Sequence, residues 1–214
     1  MTYVLLQRTF QHLAEDTSVA EEPSWYRYFS ADVGWSDLLK SKRTIISGAA
    51  GAGKTEEMKA RARELMSQGK SAFFLPMRTV AKSGFVASLT TQEQERIHRW
   101  SASRDECYFF IDSKDEAVQA GERMDDALRK LGQELDAKLD RAHIFVSTRP
   151  SDLTVKQDVE AFHNFCPLVS AYSSSDTPEQ VLLSVLEPDQ NSRATQLERL
   201  AAQRDFQVVR FDPS

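Results

Sequence analysis

The chain has 214 residues, 41% hydrophobic and 28% charged, which suits one sizeable α/β domain with a packed core, alone or with an irregular appendage. Its formal net charge of −5 leaves no electrostatic footprint for nucleic acid or for an anionic membrane surface. No apolar run approaches bilayer-spanning length and no basic stretch followed by an apolar block opens the chain, so a cytoplasmic location is expected, with Cys107 and Cys166 reduced and structural.

Residues 1–42 read as an N-terminal segment leading into the core. Val4, Leu5, Phe10 and Leu13 give a weak helical pattern. After Glu21-Glu22-Pro23 come Trp25, Tyr26, Tyr28 and Phe29, which either pack this segment onto the domain or form a docking surface for a partner. Trp35, Leu38 and Leu39 fit a short helix, and the core proper, 43–214, opens with a strand at about 43–47.

That strand runs into Gly48-Ala49-Ala50-Gly51-Ala52-Gly53-Lys54-Thr55, the G-x-x-x-x-G-K-[ST] spacing of a phosphate-binding loop (Walker A). A triphosphate can be surrounded by successive backbone N–H groups only where no Cβ intrudes, which Gly48, Gly51 and Gly53 permit. The N-terminus of the following helix adds positive potential. Lys54 is placed to reach β- and γ-phosphates, and the Thr55 hydroxyl suits Mg²⁺. The bland alternative is a chance match in a Gly/Ala-rich turn; the apolar strand before it and the helical pattern after it argue against chance.

The helix after the loop is expected to reach about Ser67, with Met58, Leu65 and Met66 inward and Gly69 as its stop. A second strand spans Ser71 to Leu75, ended by Pro76, and residues 91–102 form a short charged helix. Cys107-Tyr108-Phe109-Phe110-Ile111 is an uninterrupted apolar run, as in a strand buried on both faces of a parallel sheet. Met124, Leu128, Leu131, Leu135 and Leu139 recur at helical steps within 118–139, and Ile144 to Ser147 is the next buried strand. Residues 151–177 give no clear element. Helices are expected over 178–187 and 192–204 and a last strand from Phe206 to Phe211. Strand–helix alternation predicts a doubly wound parallel sheet.

Two further strand ends carry chemistry. The run 107–111 ends in Asp112-Ser113-Lys114-Asp115-Glu116 (Walker B), at the end of a parallel strand where α/β sheets bind ligands. Asp112 is placed to hold the Mg²⁺ that Thr55 also touches, and Asp115 or Glu116 to orient or deprotonate water. The alternative for these acids is an N-terminal cap of the next helix. Ser147-Thr148-Arg149-Pro150 ends the next strand, and Arg149 either contacts a γ-phosphate or is a solvated arginine before a helix-stopping proline.

In this order the three motifs, Gly48–Thr55, Tyr108–Glu116 and Phe145–Pro150, resemble the NACHT branch of the STAND NTPases, nucleotide-controlled switches related to AAA+ proteins. The likeness covers about residues 36–150 and is greatest to large bacterial members, many implicated in antiviral defence against phage. It implies an α/β fold with a parallel P-loop NTPase (ASCE/AAA-like) sheet sandwiched by helices, and a strand order with 143–147 between the loop strand and 107–111. It also implies an ATP-binding, Mg²⁺-dependent NTPase (a hydrolase) in which Lys54, Asp112 and Arg149 face the same phosphates. Lys114 departs from the family, which usually has an apolar residue there. The sequence ends after Phe211 at the first step toward the family's helical lid, so other domains of a longer protein, or an oligomeric assembly, are the expected partners. A nucleotide-binding scaffold with little turnover is the alternative. A small-molecule P-loop kinase is another, with Arg193, Arg199 and Arg204 as its lid arginines. No guanine-reading Asn-Lys-x-Asp pattern occurs, so ATP is the default nucleotide.

Overall fold

The computed structural model describes residues 9–12, 34–112, 121, 123–168 and 206–212. The strands are β1 (Thr9–His12), β2 (Arg43–Ser47), β3 (Ser71–Pro76), β4 (Cys107–Asp112), β5 (Ala142–Thr148) and β6 (Phe206–Asp212). The helices are α1 (Trp35–Leu38), α2 (Lys54–Ser67), α3 (Met77–Ser83), α4 (Thr91–Ala102), α5 (Met124–Leu135) and α6 (Val155–Phe165), with 3-10 turns at Val86–Ser88, Asp136–Arg141 and Pro150–Asp152. The strands form one sheet in the order β1-β6-β2-β5-β4-β3, in which β6 to β3 are parallel and β1 is an antiparallel edge. This is the expected α/β architecture, a parallel sheet flanked by helices, and β5 lies between β2 and β4 as the resemblance implied.

Residues in β2, β4 and β5 are buried along their whole length, which is why β4 reads as an unbroken apolar run rather than as alternation. The pleat sends alternate side chains to two cores. One, containing Ile45, Phe73, Phe109, Ile111, Ile144 and Val146, is covered by α3, α4, α5 and α6. The other, containing Ile46, Tyr108, Phe110, Phe145, Val209 and Phe211, is covered by α1 and α2. The chain thus passes from central β2 to edge β3 over one face, and returns through β4 and β5 over the other, as right-handed crossovers require.

Local signals account for the end of α2 and the start of α4. Gly69, at φ +79°, ends α2 with Gly69 N bonded to Met66 O (3.0 Å) and Lys70 N to Leu65 O (2.9 Å), a Schellman closure. Thr90 and Glu93 form a capping box at the start of α4. Arg43, almost wholly buried, donates from its guanidinium to five carbonyls: Cys166, Lys42, Ala142, Leu139 and Pro167, at 2.6–3.3 Å. It thereby closes the C-terminus of α6 against β2 and β5.

Several expectations are corrected. Phe10 belongs to a strand, because its backbone pairs with Phe211 at the sheet edge. Leu139 lies in the 3-10 turn after α5, which ends at Leu135. Met66 is half-buried against the core rather than inside it. Two helices, α3 and α6, stand where no element was expected. His163 is exposed on α6, whereas Cys166, three residues on, is buried. The aromatics Trp25, Tyr26, Tyr28 and Phe29 and the helices expected over 178–187 and 192–204, with Arg193, Arg199 and Arg204, lie outside the described residues.

Candidate nucleotide site

The crevice that can hold a ligand follows from the topology. The helix after β2 lies on one face of the sheet and the helix after neighbouring β5 on the other, so the two connections diverge at the C-terminal ends of these strands. The turn Gly48–Gly53 sits at that point. The ladder between β2 and β5 continues one step into it, with Gly48 N donating to Thr148 O at 3.2 Å. Gly51 (φ +74°) and Gly53 (φ +97°) hold left-handed backbone that a side chain would strain, and a Cβ placed on either would meet nothing within 4 Å. These two glycines therefore serve backbone shape. Gly48 serves close approach: a Cβ there would lie 3.2 Å from Phe211 Cβ and 3.3 Å from Lys54 Cδ.

Gly53 is the N-cap of α2 and offers no side-chain cap, so the first N–H groups of this 14-residue helix face the turn without a protein side-chain acceptor from the cap. Ala49, Ala50, Gly51 and Gly53 are exposed, while Ala52, Lys54 and Thr55 are half-buried. The Lys54 ammonium donates to Gly48 O (2.5 Å) and Ala49 O (2.9 Å), which anchors its stem across the turn.

Asp112 ends β4, 5% exposed, and the Ser147 hydroxyl donates to its Oδ1 at 2.5 Å. Strand parity places both side chains on the face covered by α2, together with Phe110 and Phe145. Helix α2 packs against both β3 and β4. Arg149 keeps extended backbone (φ −88°, ψ 154°), so it continues the alternation beyond Thr148 onto the same face as Ser147, and is half-buried. The structure therefore gathers Gly48–Thr55, Asp112 and Arg149 at one end of the sheet. Asp115 and Glu116 lie outside the described residues. Sequence reasoning missed three supporting groups: the Ser147 hydroxyl, the Thr148 carbonyl and the Phe211 Cβ. The first was accessible in principle, since residues 147 and 149 of one strand share a face.

The donor set fits a nucleotide with a hard divalent cation. The turn has room where a Cβ would otherwise stand, and Thr55 and Asp112 offer the oxygen ligands that Mg²⁺ prefers. Among the described residues no group of three or more His, Cys, Asp or Glu could hold a metal ion.

A second polar cluster lies at the opposite end of the sheet. Lys42 Nζ is 2.8 Å from Glu106 Oε1 and 3.0 Å from His143 Nε2, and His143 Nδ1 meets Ser41 O at 2.7 Å. A carbonyl only accepts, so Nδ1 carries the proton and Nε2 accepts from Lys42. Burial and the Lys42 charge hold the His143 pKa below its ordinary value. Burial raises Glu106, but the hydrogen bond and charge of Lys42, joined by His143 once its ring is protonated, outweigh it and bring its carboxyl down to about 2. Because His143 is neutral near pH 7, Lys42 is the working counter-ion of Glu106. Tyr108, stacked on His143 at 4.6 Å, is pushed up to about 12 by burial and by Glu106. Glu106, Tyr108 and His143 border a cavity of about 510 Å³ with Ser36, Leu39, Lys40 and Lys70.

Both cysteines are free and buried, and burial pushes the Cys107 thiol up and that of Cys166 to about 12, so neither is activated as a nucleophile. No helix among the described residues is long and apolar enough to cross a membrane. No family model matches the chain, and neither the curated proteins nor the solved structures contain a significant match to it.

Proposed function

We propose that this chain is a nucleotide-binding domain of the P-loop NTPase type, with an ASCE/AAA-like sheet, that takes ATP with Mg²⁺ and acts as a STAND-like, NACHT-type switch. One observation carries the reading. The glycine-rich turn, Asp112 and Arg149 leave three neighbouring strands at one end of the sheet, and the turn is hydrogen-bonded to the strand that ends in Arg149. The role of a switch in antiphage defence, with further domains or a second copy as partner, rests on the motif resemblance alone.

In this reading the backbone N–H groups of residues 48–55 cradle the phosphates and Lys54 neutralises the β/γ oxygens. Thr55 and Asp112 hold the cation. The chemistry that a bound Mg²⁺ supplies is charge neutralisation at the phosphate oxygens. Arg149 senses the γ-phosphate, while Glu116, with Asp115, orients water and accepts its proton in a slow hydrolysis governed by positioning and electrostatics. Differential contact with the γ-phosphate then biases one arrangement of the protein over another.

Titration calorimetry of ATP and ADP, with and without Mg²⁺, tests the reading in the wild type and in Lys54→Ala. The wild type is expected to bind both, and the alanine variant to lose most of the affinity, because phosphate charge in a cradle without its cation is poorly compensated. Wild-type and variant isotherms that coincide would refute it. Phosphate release from the wild type compared with Glu116→Gln separates a slow ATPase from a scaffold: ATP bound with equal, background release in both proteins removes the hydrolytic part alone.

A further inference from the structure

Residues 147–149, at the end of β5 and one step beyond it, connect Asp112 with the glycine-rich turn. Ser147 Oγ is bonded to Asp112 Oδ1, Thr148 O receives Gly48 N of the phosphate turn, and Arg149 follows on the same face as Ser147. Ser147 and Asp112 are 1% and 5% exposed, so this is a bond in a dry, low-dielectric setting rather than a surface contact. A hydroxyl has a single proton to give, and here it is given to one carboxylate oxygen at 2.5 Å. The bond restricts rotation of the carboxylate on the α2 side of the sheet, where strand parity places Asp112.

We propose that Ser147 is a positioning residue for the cation: by holding Asp112 Oδ1 it sets the orientation in which that carboxylate receives Mg²⁺, and it ties cation binding to the strand that carries Arg149. The inference rests on the nucleotide-binding reading above. Groups that orient a ligating carboxylate without touching the metal commonly govern metal affinity as strongly as a ligand does. Ser147 has the geometry for that role, and its neighbour two residues along the strand is the arginine assigned to the γ-phosphate. Cation and γ-phosphate would therefore be read by one rigid strand.

The test compares ATP affinity in Mg²⁺ with ATP affinity in EDTA, by calorimetry, for the wild type, Ser147→Ala, Ser147→Cys and Ser147→Thr. The ratio of the two affinities is expected to fall about tenfold or more in the alanine variant and to recover in the threonine variant, which restores the hydroxyl. Ser147→Cys keeps the volume with a weak donor, so its ratio should also fall even if the alanine variant folds poorly. A purely structural role for Ser147 would lower the melting temperature and leave the ratio unchanged. A wild-type protein with Mg²⁺-dependent ATP binding and variants of unchanged ratio overturns this inference alone. A wild type that binds no ATP overturns it together with the proposed function.

Discussion

The indole N–H of Trp35 donates to the Glu57 carboxylate at 2.8 Å, and through it α1 is fastened to the first turns of α2, three residues beyond Lys54. Glu57 is 2% exposed and is also bonded by Arg61, whose guanidinium in turn reaches Glu64 and lies 5.5 Å above the Trp35 ring. The indole itself packs edge-on against Phe10 at 5.1 Å and near Phe110 and Phe145. Trp35→Phe keeps most of this packing and removes the donor, leaving a buried carboxylate one bond short. The expected loss is about 1.5–3 kcal/mol in urea unfolding, the range for hydrogen bonds to charged groups. Unchanged stability would show that Arg61 alone satisfies Glu57.

Arg43 presents a sharper case, because its five N–H donors meet five carbonyl oxygens. Arg43→Met fills similar volume but strands several buried carbonyls at the end of α6, and should cost about 2–4 kcal/mol. Arg43→Lys should recover little, since an ammonium cannot reproduce the planar fork. Hydrogen exchange offers the discriminating measurement: protection should fall first in α6 and in the 139–142 segment.

Gly132 should invert the usual rule for helices. In an exposed helix interior, Gly→Ala stabilises by about 0.5–1 kcal/mol. Here a Cβ would stand 1.9 Å from Phe165 O and 3.6 Å from Cys166 Sγ, where α5 meets the end of α6. Gly132→Ala is therefore expected to destabilise by about 1–3 kcal/mol through overpacking, read as a lower melting temperature. A stabilised variant would show that α6 yields easily.

The Lys42–Glu106–His143 cluster sets an acid sensitivity whose direction follows from linkage. His143 titrates below its ordinary 6.5 in the folded protein, so the unfolded chain binds the proton first. Its stabilising share is complete above pH 6.5 and is lost as pH falls through that value toward the lower folded pKa. Glu106 adds a second share, present above its ordinary 4.5 and lost as pH falls toward about 2. The unfolding free energy should thus drop in two stages on acidification. His143→Gln should be less stable near neutrality yet show a shallower decline over about pH 7 to 5, the window in which a histidine titrates.

The parts of the fold that sequence foretold are those whose signals are local. Strands β2, β4 and β5 announced themselves as strands, α2 by its glycine-rich approach and Gly69, and α4 by its charged stretch over 91–102. The site residues Lys54, Asp112 and Arg149 were placed because each stands at a strand end or just beyond one. What escaped is held by distant partners. The last carbonyls of α3, at Ala81 and Lys82, are capped by the Lys130 ammonium from α5. The end of α6 is closed by Arg43, and its start uses Asp158 accepting from Thr154 N, four residues apart rather than the three of a capping box. Strand β1 depends on pairing with β6, almost the whole chain away. Apart from the Thr154–Asp158 bond, no window of neighbouring residues contains such information.

The position of Gly48 has a consequence for how this protein is made. Its backbone is pinned by the end of β5 on one side and its missing side chain leaves just enough space for Phe211 of β6 on the other, so both walls are synthesised well after the turn itself. Such non-local closure is slow and is completed only when the distal chain has emerged. A nascent chain halted before residue 206 would carry the whole glycine motif and still lack the wall that shapes it.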